Sequence, residues 1–444
     1  MARPTHAEPG RAKTDRRYAL AFTTLVVALA PTVSAQTAPA TPPTRQTGGV
    51  PVQGAEPDVP LLARFDANRT GRLERGERDA ARAYLADFWH TDVELPATLE
   101  VDGTALRDVG VSFRGNNSFH MVPDGRKRSF SSNVETWRTQ ALLGHTSLNL
   151  LNANQDPTFL RSVLYLEVAR EYLPAPKANF VRVVVNGESW GLYVNQQTFS
   201  KALLREQLGT EAGTRWKSPN NSLGGGFNYL GDDLAAYRRW YEMKGKDDTM
   251  AWRALVNVTR VLTRTPPEEL EAALAPLMDL DEVPRFLALD LALVNGDGYW
   301  NDGSDFNVLR GADNRFRALP HEANEAFRSR SNGAAPDPLV ALADTNKALR
   351  SRLLAVPALR ARYLQYVGAI AERELDEHRF GERVARHVRL IEADVARDTR
   401  TLGTEAAFRE GVDATSAAAG SLRIFAAQRR AALLAHPAVV EACR

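Results

Sequence analysis

Cysteine is nearly missing from this 444-residue chain: the only one, Cys443, stands one residue from the C-terminus. An intrachain disulfide framework and a cysteine metal cage are therefore excluded. Charge of either sign is not in excess, with 56 Lys and Arg against 54 Asp and Glu. No basic field argues for a nucleic-acid partner or an anionic lipid surface. Long apolar runs are missing too, apart from one short stretch near the N-terminus, so a multi-span membrane protein does not fit. His-Glu-x-x-His and the Rossmann glycine pattern are absent, which leaves zinc-peptidase and dehydrogenase readings without support. His378, His387 and His436 lack neighbours at ligand spacing and read as surface or packing residues.

The short apolar stretch runs from Tyr18 to Ala30, after Arg11, Lys13, Arg16 and Arg17 and before Val33-Ser34-Ala35. A basic region, an apolar run and small residues at a cleavage position make residues 1–35 an expected export signal. The run is short for a membrane span, so no stable span is expected after cleavage; an uncleaved anchor is the other reading. Residues 36–58 are rich in Pro and Thr and read as an extended linker. Within 59–90, Asp66, Asn68, Thr70, Arg72 and Glu77 occupy loop positions 1, 3, 5, 7 and 12, with Gly71 at position 6. That is EF-hand spacing, in which Arg72 supplies its carbonyl and Glu77 a bidentate carboxylate to Ca²⁺. The neutral Thr70 lowers the ligand charge, and no second loop is found. An isolated calcium-binding clip is expected, a polar turn between two helices being the alternative.

From 91 the pattern turns to strands: Val93 to Leu95, Leu99 to Val101, Val109 to Arg114, then Phe180 to Val185 and Glu188 to Val194 around Asn186-Gly187. Asn-Gly between β-rich runs is a strong hairpin signal. Thr158 to Tyr172 carries apolar residues at helical spacing. Arg114-Gly115-Asn116-Asn117-Ser118 after a strand, followed by Arg126-Lys127-Arg128, offers backbone N–H groups and cations that suit a polyphosphate, although basic clusters are also ordinary surface. A largely helical stretch, 233–292, then leads into Asn295-Gly296-Asp297-Gly298 and on to Asp302 and Asp305, and a later strand delivers Pro320-His321-Glu322-Ala323-Asn324-Glu325. Two strands flanking a turn would bring both acidic loops together as a hard-oxygen site suited to Mg²⁺ or Mn²⁺.

In this order, Phe113-Arg114-Gly115-Asn116-Asn117-Ser118, Lys127-Arg128-Ser129-Phe130, Leu148 to Asn154, Asp156-Pro157 with Leu160-Arg161, Pro174-Ala175-Pro176, Asn186 to Tyr193, Asn295 to Tyr299 and Pro320 to Glu325 resemble the spore-coat protein H (CotH) kinase family, from about His90 to Phe327. The resemblance implies an α+β, divergent protein-kinase-like two-lobed fold over 91–345, with a strand-rich N-lobe and a helical C-lobe. It implies ATP and divalent metal used to phosphorylate Ser on protein substrates. On the matching positions it implies Asp297 as the catalytic aspartate, with Asp305, Glu322 and Asn324 as metal ligands. It places Arg114, Lys127, Arg128 and Lys217 toward the nucleotide, Lys127 being favoured on the phosphates, and offers Glu167 as the ion-pair partner of that cation. Glu322 and Asn324 stand where the family pattern has two aspartates, so the site carries less negative charge. Residues 346–444 are expected to form a helical region packed on this domain. An exported protein serine kinase is the expectation; a non-catalytic CotH-like surface or matrix protein rigidified by calcium is the alternative.

Overall fold

The computed structural model describes residues 23–29, 65–71, 73–74, 76–77, 81, 94–115, 119, 121–123, 126–219, 225–328, 336–413 and 420–444. Seven strands form the first sheet: β1 (Thr23–Leu29), β2 (Leu95–Val101), β3 (Thr104–Phe113), β4 (Phe130–Asn133), β5 (Ser147–Leu151), β6 (Ala178–Val185) and β7 (Glu188–Gln197). The order is β1-β2-β3-β4-β5-β7-β6, closed because β1 pairs antiparallel with β2 and parallel with β6. β1 falls inside the stretch expected as the apolar part of an export signal; the rest of that signal and the linker lie outside the described residues.

Alternation on the strands turns Leu99, Val109, Leu150, Val183 and Tyr193 into one small core. The β6–β7 turn is built as its sequence requires, with Asn186 and Gly187 both at positive φ, 52° and 85°. The spacing Gly187-Glu188-Ser189-Trp190-Gly191 is also that of a hydrolase nucleophile elbow, but Ser189 lies within β7, paired with Val184 of the hairpin, and not on a strand-to-helix turn. The strands expected at 93–95 and 99–101 are not separate, since β2 runs unbroken from Leu95 to Val101 with a bulge between Ala97 and Leu99; Val93 lies outside the described residues.

A second sheet has the order β11-β10-β8-β9, from β8 (Gly213–Ser218), β9 (Glu242–Lys244), β10 (Phe306–Gly311) and β11 (Phe316–Pro320). The helices are α1 (Arg161–Ala169), α2 (Lys201–Leu208), α3 (Leu234–Arg238), α4 (Thr249–Arg264), α5 (Pro267–Leu274), α6 (Glu282–Ala292), α7 (Tyr299–Asp302), α8 (Ala348–Ser351), α9 (Pro357–Arg373), α10 (Glu377–Arg397), α11 (Glu405–Val412), α12 (Leu422–Leu434) and α13 (Pro437–Ala442). One continuous apolar core runs from α1 through α6 and β10 to α9 and α12. The C-terminal helices are thus part of the body that carries β10 and β11. Among the described residues, no helix is long and apolar enough to cross a membrane.

Two expected roles are corrected by this packing. Lys127 is fully buried, its ammonium 4.8 Å and 5.2 Å from the ring centres of Phe159 and Tyr193. It donates to the Leu192 carbonyl at 2.6 Å and to the Asp398 carboxylate, which also accepts from the Leu192 N–H at 3.0 Å. A cation enclosed by two rings and a carboxylate has no face left for a phosphate, so Lys127 is a core tie between the sheet and the segment after α10. Glu167 on α1 is not its partner. That carboxylate accepts from Arg386 and His387 on α10, with the His387 contact at 2.8 Å. Burial pushes the Glu167 carboxyl up, but the hydrogen bonds and charges of His387 and Arg386 outweigh it and bring it down to about 2.

The Lys127–Asp398 tie leaves no room at Gly191, where φ is 81° and an added Cβ would stand 2.2 Å from the Asp398 carboxylate. Asp398→Ala strands a buried ammonium, and the expected loss is about 3–5 kcal/mol in denaturant unfolding, with Lys127→Met/Asp398→Leu recovering most of it. A loss under about 1 kcal/mol for Asp398→Ala would show that the pair is open to water.

Candidate active site

The site is built where α6 stops. After Ala292 the chain turns at Val294, whose φ is 49°, a conformation that β-branched residues rarely adopt. Asp305, just before β10, and Phe327 share the left-handed region, at φ 55° and 58°. Three such residues bordering two loops mark a place where the fold holds strained backbone, as functional sites commonly do.

Those loops are 293–298 and 321–327, and backbone hydrogen bonds join them. Gly296 N–H reaches the Glu325 carbonyl at 3.3 Å, and Phe327 N–H the Leu293 carbonyl at 2.8 Å. The Asn295 side chain adds a third tie, Nδ2 to the Glu322 carbonyl at 3.0 Å. The approach is close at Gly296, where a Cβ would lie 2.7 Å from Glu325 Oε2 and 3.1 Å from Glu325 Cβ. The strands deliver the rest: β10 and β11 pair antiparallel with Phe306 opposite Pro320, so Asp305 and His321 emerge at the same end. Lys217 of β8 sits opposite Asn307 on the other side of β10.

The assembled carboxylates repel one another. Burial first, then the charges of Glu325, Glu322 and Asp302, push the Asp297 carboxyl up to about 7. Burial and the neighbouring Glu322 also raise Asp305 well above the ordinary carboxylate range, against the pull of Lys217. Glu322 goes the other way: burial opposes its charge, but Arg114, His321 and Lys217 hold it down at about 2. Its direct partner is the Arg114 guanidinium at the end of β3.

Of the residues singled out from sequence, Asp297, Asp305, Glu322, Arg114 and Lys217 thus act on one another electrostatically, and Asn324 occupies the turn between Glu322 and Glu325. Arg128 stacks its guanidinium over Phe119 at 4.4 Å, while Asn116, Asn117 and Ser118 lie outside the described residues. Two members of the cluster had no assigned role: Glu325, the foremost charge acting on Asp297, and His321. The His321 Nε2 is buried without a hydrogen-bond partner, 3.9 Å from Asp305 Oδ1 and 3.7 Å from Glu322 Oε1. Both belonged to the recognised Pro320–Glu325 motif; what sequence alone did not reveal was that the turn folds back on Asp297.

As they stand, the described residues include no three His, Cys, Asp or Glu side chains in metal-ligating geometry, and Arg114 occupies Glu322. The donor chemistry nevertheless suits a hard divalent cation: oxygen-rich, with two acids held above their ordinary range by burial and then by like charge, the second of which a cation relieves.

In the calcium-type loop, Asp66 accepts from Thr70 N–H at 2.9 Å and Gly71 N–H at 2.7 Å, and Gly71 takes the expected positive φ of 77°. Glu77 folds back to accept from Ala67 N–H and Glu74 N–H, both at 3.0 Å. Arg72 and most of the segment expected as the exit helix lie outside the described residues.

Asp297, with Asp290 beneath it, is raised from an ordinary 3.8 to about 7. The folded chain therefore holds more protons than the unfolded chain between these values, and stability declines as pH rises from about 4 to about 7 before levelling. Asp297→Asn removes one of these groups, so its melting temperature at pH 8 should exceed that of the unmodified chain, with a shallower slope from pH 4.5 to 7.5. Equal slopes in the two proteins would contradict the crowding.

Comparison with known proteins gives the family. A family model described as CotH kinase protein matches residues 111–433, farther along the chain than the sequence motifs reach and taking in α9 to α12. Inner spore coat protein H of Bacillus subtilis is 22% identical over 226 residues, 49% of this chain and 58% of that protein. Invasin CotH3 of Rhizopus delemar is also 22% identical, over 43% of this chain and 34% of that protein. The match therefore spans less than two thirds of either relative. With the family match covering most of the chain and both acidic loops inside it, the chain belongs to the CotH kinase protein family.

Proposed function

We propose that this chain is an exported protein kinase that transfers the γ-phosphoryl group of ATP to serine on a protein substrate, with Mg²⁺ or Mn²⁺ as the cation. The observation that carries the reading is the crowding of Asp297 with Glu322 and Glu325 across two tied loops. A carboxylate raised to about 7 is poised to accept a hydroxyl proton near neutral pH. Asp297 orients the attacking serine hydroxyl and accepts its hydrogen bond. Asp305 and Glu322, with Asn324 beside them, would hold the cation, and Arg114 would then leave Glu322 for a phosphate oxygen. When bound, the cation would neutralise charge on the phosphates. Lys217 and Arg128 supply further positive charge toward the phosphates. An exported or cell-surface place is supported by the names of the two relatives, a spore coat protein and an invasin.

A second reading has its own observation. Arg114 already neutralises Glu322, and Asn324 contributes no charge, so the scaffold could serve as a calcium-rigidified surface or matrix binding protein without catalysis. In that reading Asp66, Asn68, Thr70, Glu77 and the Arg72 carbonyl hold Ca²⁺ as a clip.

Label transfer from γ-labelled ATP with Mg²⁺ or Mn²⁺ separates the two. The kinase reading expects label on serine, reduced about 100-fold or more by Asp297→Asn, and Lys217→Ala raising KM for ATP about 10-fold. Absence of label with both cations, together with no ATP binding by calorimetry, would favour the binding protein. For the clip, Ca²⁺ added after chelator treatment should raise the melting temperature, and Glu77→Gln should remove that rise. A rise that survives Glu77→Gln would show that calcium acts elsewhere.

A further inference from the structure

Below the Asp297 loop lies an acid that the proposed reaction does not use. Asp290, in the last turn of α6, is 1% exposed. Its Oδ2 accepts from the Trp300 N–H at 2.9 Å, and the Tyr299 N–H and the Asn295 side chain stand near enough to favour its charge. Its own carbonyl accepts from the Asn295 N–H at 3.1 Å. Asp290 Oδ1 presses on the backbone at Gly298, where an added Cβ would stand 2.0 Å away. The carboxylate therefore fills the inside of the 295–300 bend, with Asp297 on the outside.

The Trp300 N–H bonded to it and the groups near it all present donors. A carboxylate meets donors with both oxygens, whereas an amide in the same place turns an N–H toward one of them. Asn295 carries the constraint onward, its N–H bonded to the Asp290 carbonyl and its side chain to the Glu322 carbonyl. The Trp300 indole N–H locks the turn from the other side, donating to the Asn295 carbonyl at 2.6 Å. Asp297 is thereby tied in position to the Glu322 loop through one buried acid.

We infer that Asp290 is a positioning residue for the catalytic loop: it sets where Asp297 stands relative to Glu322 and touches neither nucleotide nor substrate. The inference rests on the kinase reading for its activity readout. Displacing a catalytic group by about 1 Å is enough to cost about 100-fold. In the full chain, Asp290→Asn should lower kcat by roughly 30–100-fold while KM for ATP stays within about 2-fold. Gly298→Ala pushes on the same carboxylate from the opposite side and should lower kcat comparably. In the Asp290→Ala background the added methyl has room, so Gly298→Ala should add little there.

Amide hydrogen exchange at Tyr299 and Trp300 gives a readout independent of catalysis, with faster exchange expected in Asp290→Asn. If the unmodified chain transfers no label but this exchange still quickens, the kinase reading fails while the loop tie stands. Three outcomes would overturn the inference: kcat per folded molecule within 2-fold of the unmodified chain, unchanged exchange at 299–300, or Gly298→Ala effects that multiply in full with those of Asp290→Ala.

Discussion

The structure depends on like charges held close. Asp297 on one loop and Glu322 and Glu325 on the other would separate if side chains alone decided, since each raises the cost of ionising Asp297. Backbone and buried cations prevent it. The two loops share their own hydrogen bonds, and buried arginines hold their outer ends. Arg161 donates to the Ala326 and Phe327 carbonyls, both at 2.7 Å, and Arg429 to the Leu291 and Ala292 carbonyls at 2.9 Å and 3.1 Å. Burial lowers both guanidinium groups to about 10, so both remain charged at any physiological pH. Left-handed Val294, Asp305 and Phe327 are the backbone cost of the arrangement.

This explains why the C-terminal helices are part of the family domain. Arg429 comes from α12 and caps the end of α6, the helix that presents Asp297. Asp398 follows α10 and closes on Lys127 beneath the first sheet. Glu167, Glu171 and Glu374 meet Arg379, Arg383 and Arg386 where α10 packs on α1. Sequence periodicity shows only that these helices have an apolar stripe. It cannot show that individual arginines cross the core to backbone carbonyls, because such an arginine looks like any other charged residue on a helix.

Legibility was greatest where chemistry is local. The β6–β7 hairpin follows from Asn186-Gly187, and the acidic loops follow from glycine beside acid at the end of a buried helix. The strand-rich first part followed from alternation, and the α+β class from the family resemblance. Pairings far apart in sequence were the failures. Lys127 looked like a phosphate ligand because it matches the cationic pair of the family, yet Asp398, 271 residues later, draws it into the core. Glu167 looked free for Lys127, whereas α10 supplies nearer cations. Nothing in the sequence sets Asp290 apart from the rest of its helix, because Gly298 folds against it only in the tertiary structure.

The central claim is that this crowding of carboxylates is an arrangement for a divalent cation and a nucleotide. Calorimetric titration of the full chain with ATP, in Mn²⁺ and in chelator, beside Asp305→Asn, tests it most directly. The account predicts ATP binding that requires Mn²⁺ and weakens about 10-fold or more in Asp305→Asn. Binding of equal strength without the cation, or no binding under either condition, would contradict it.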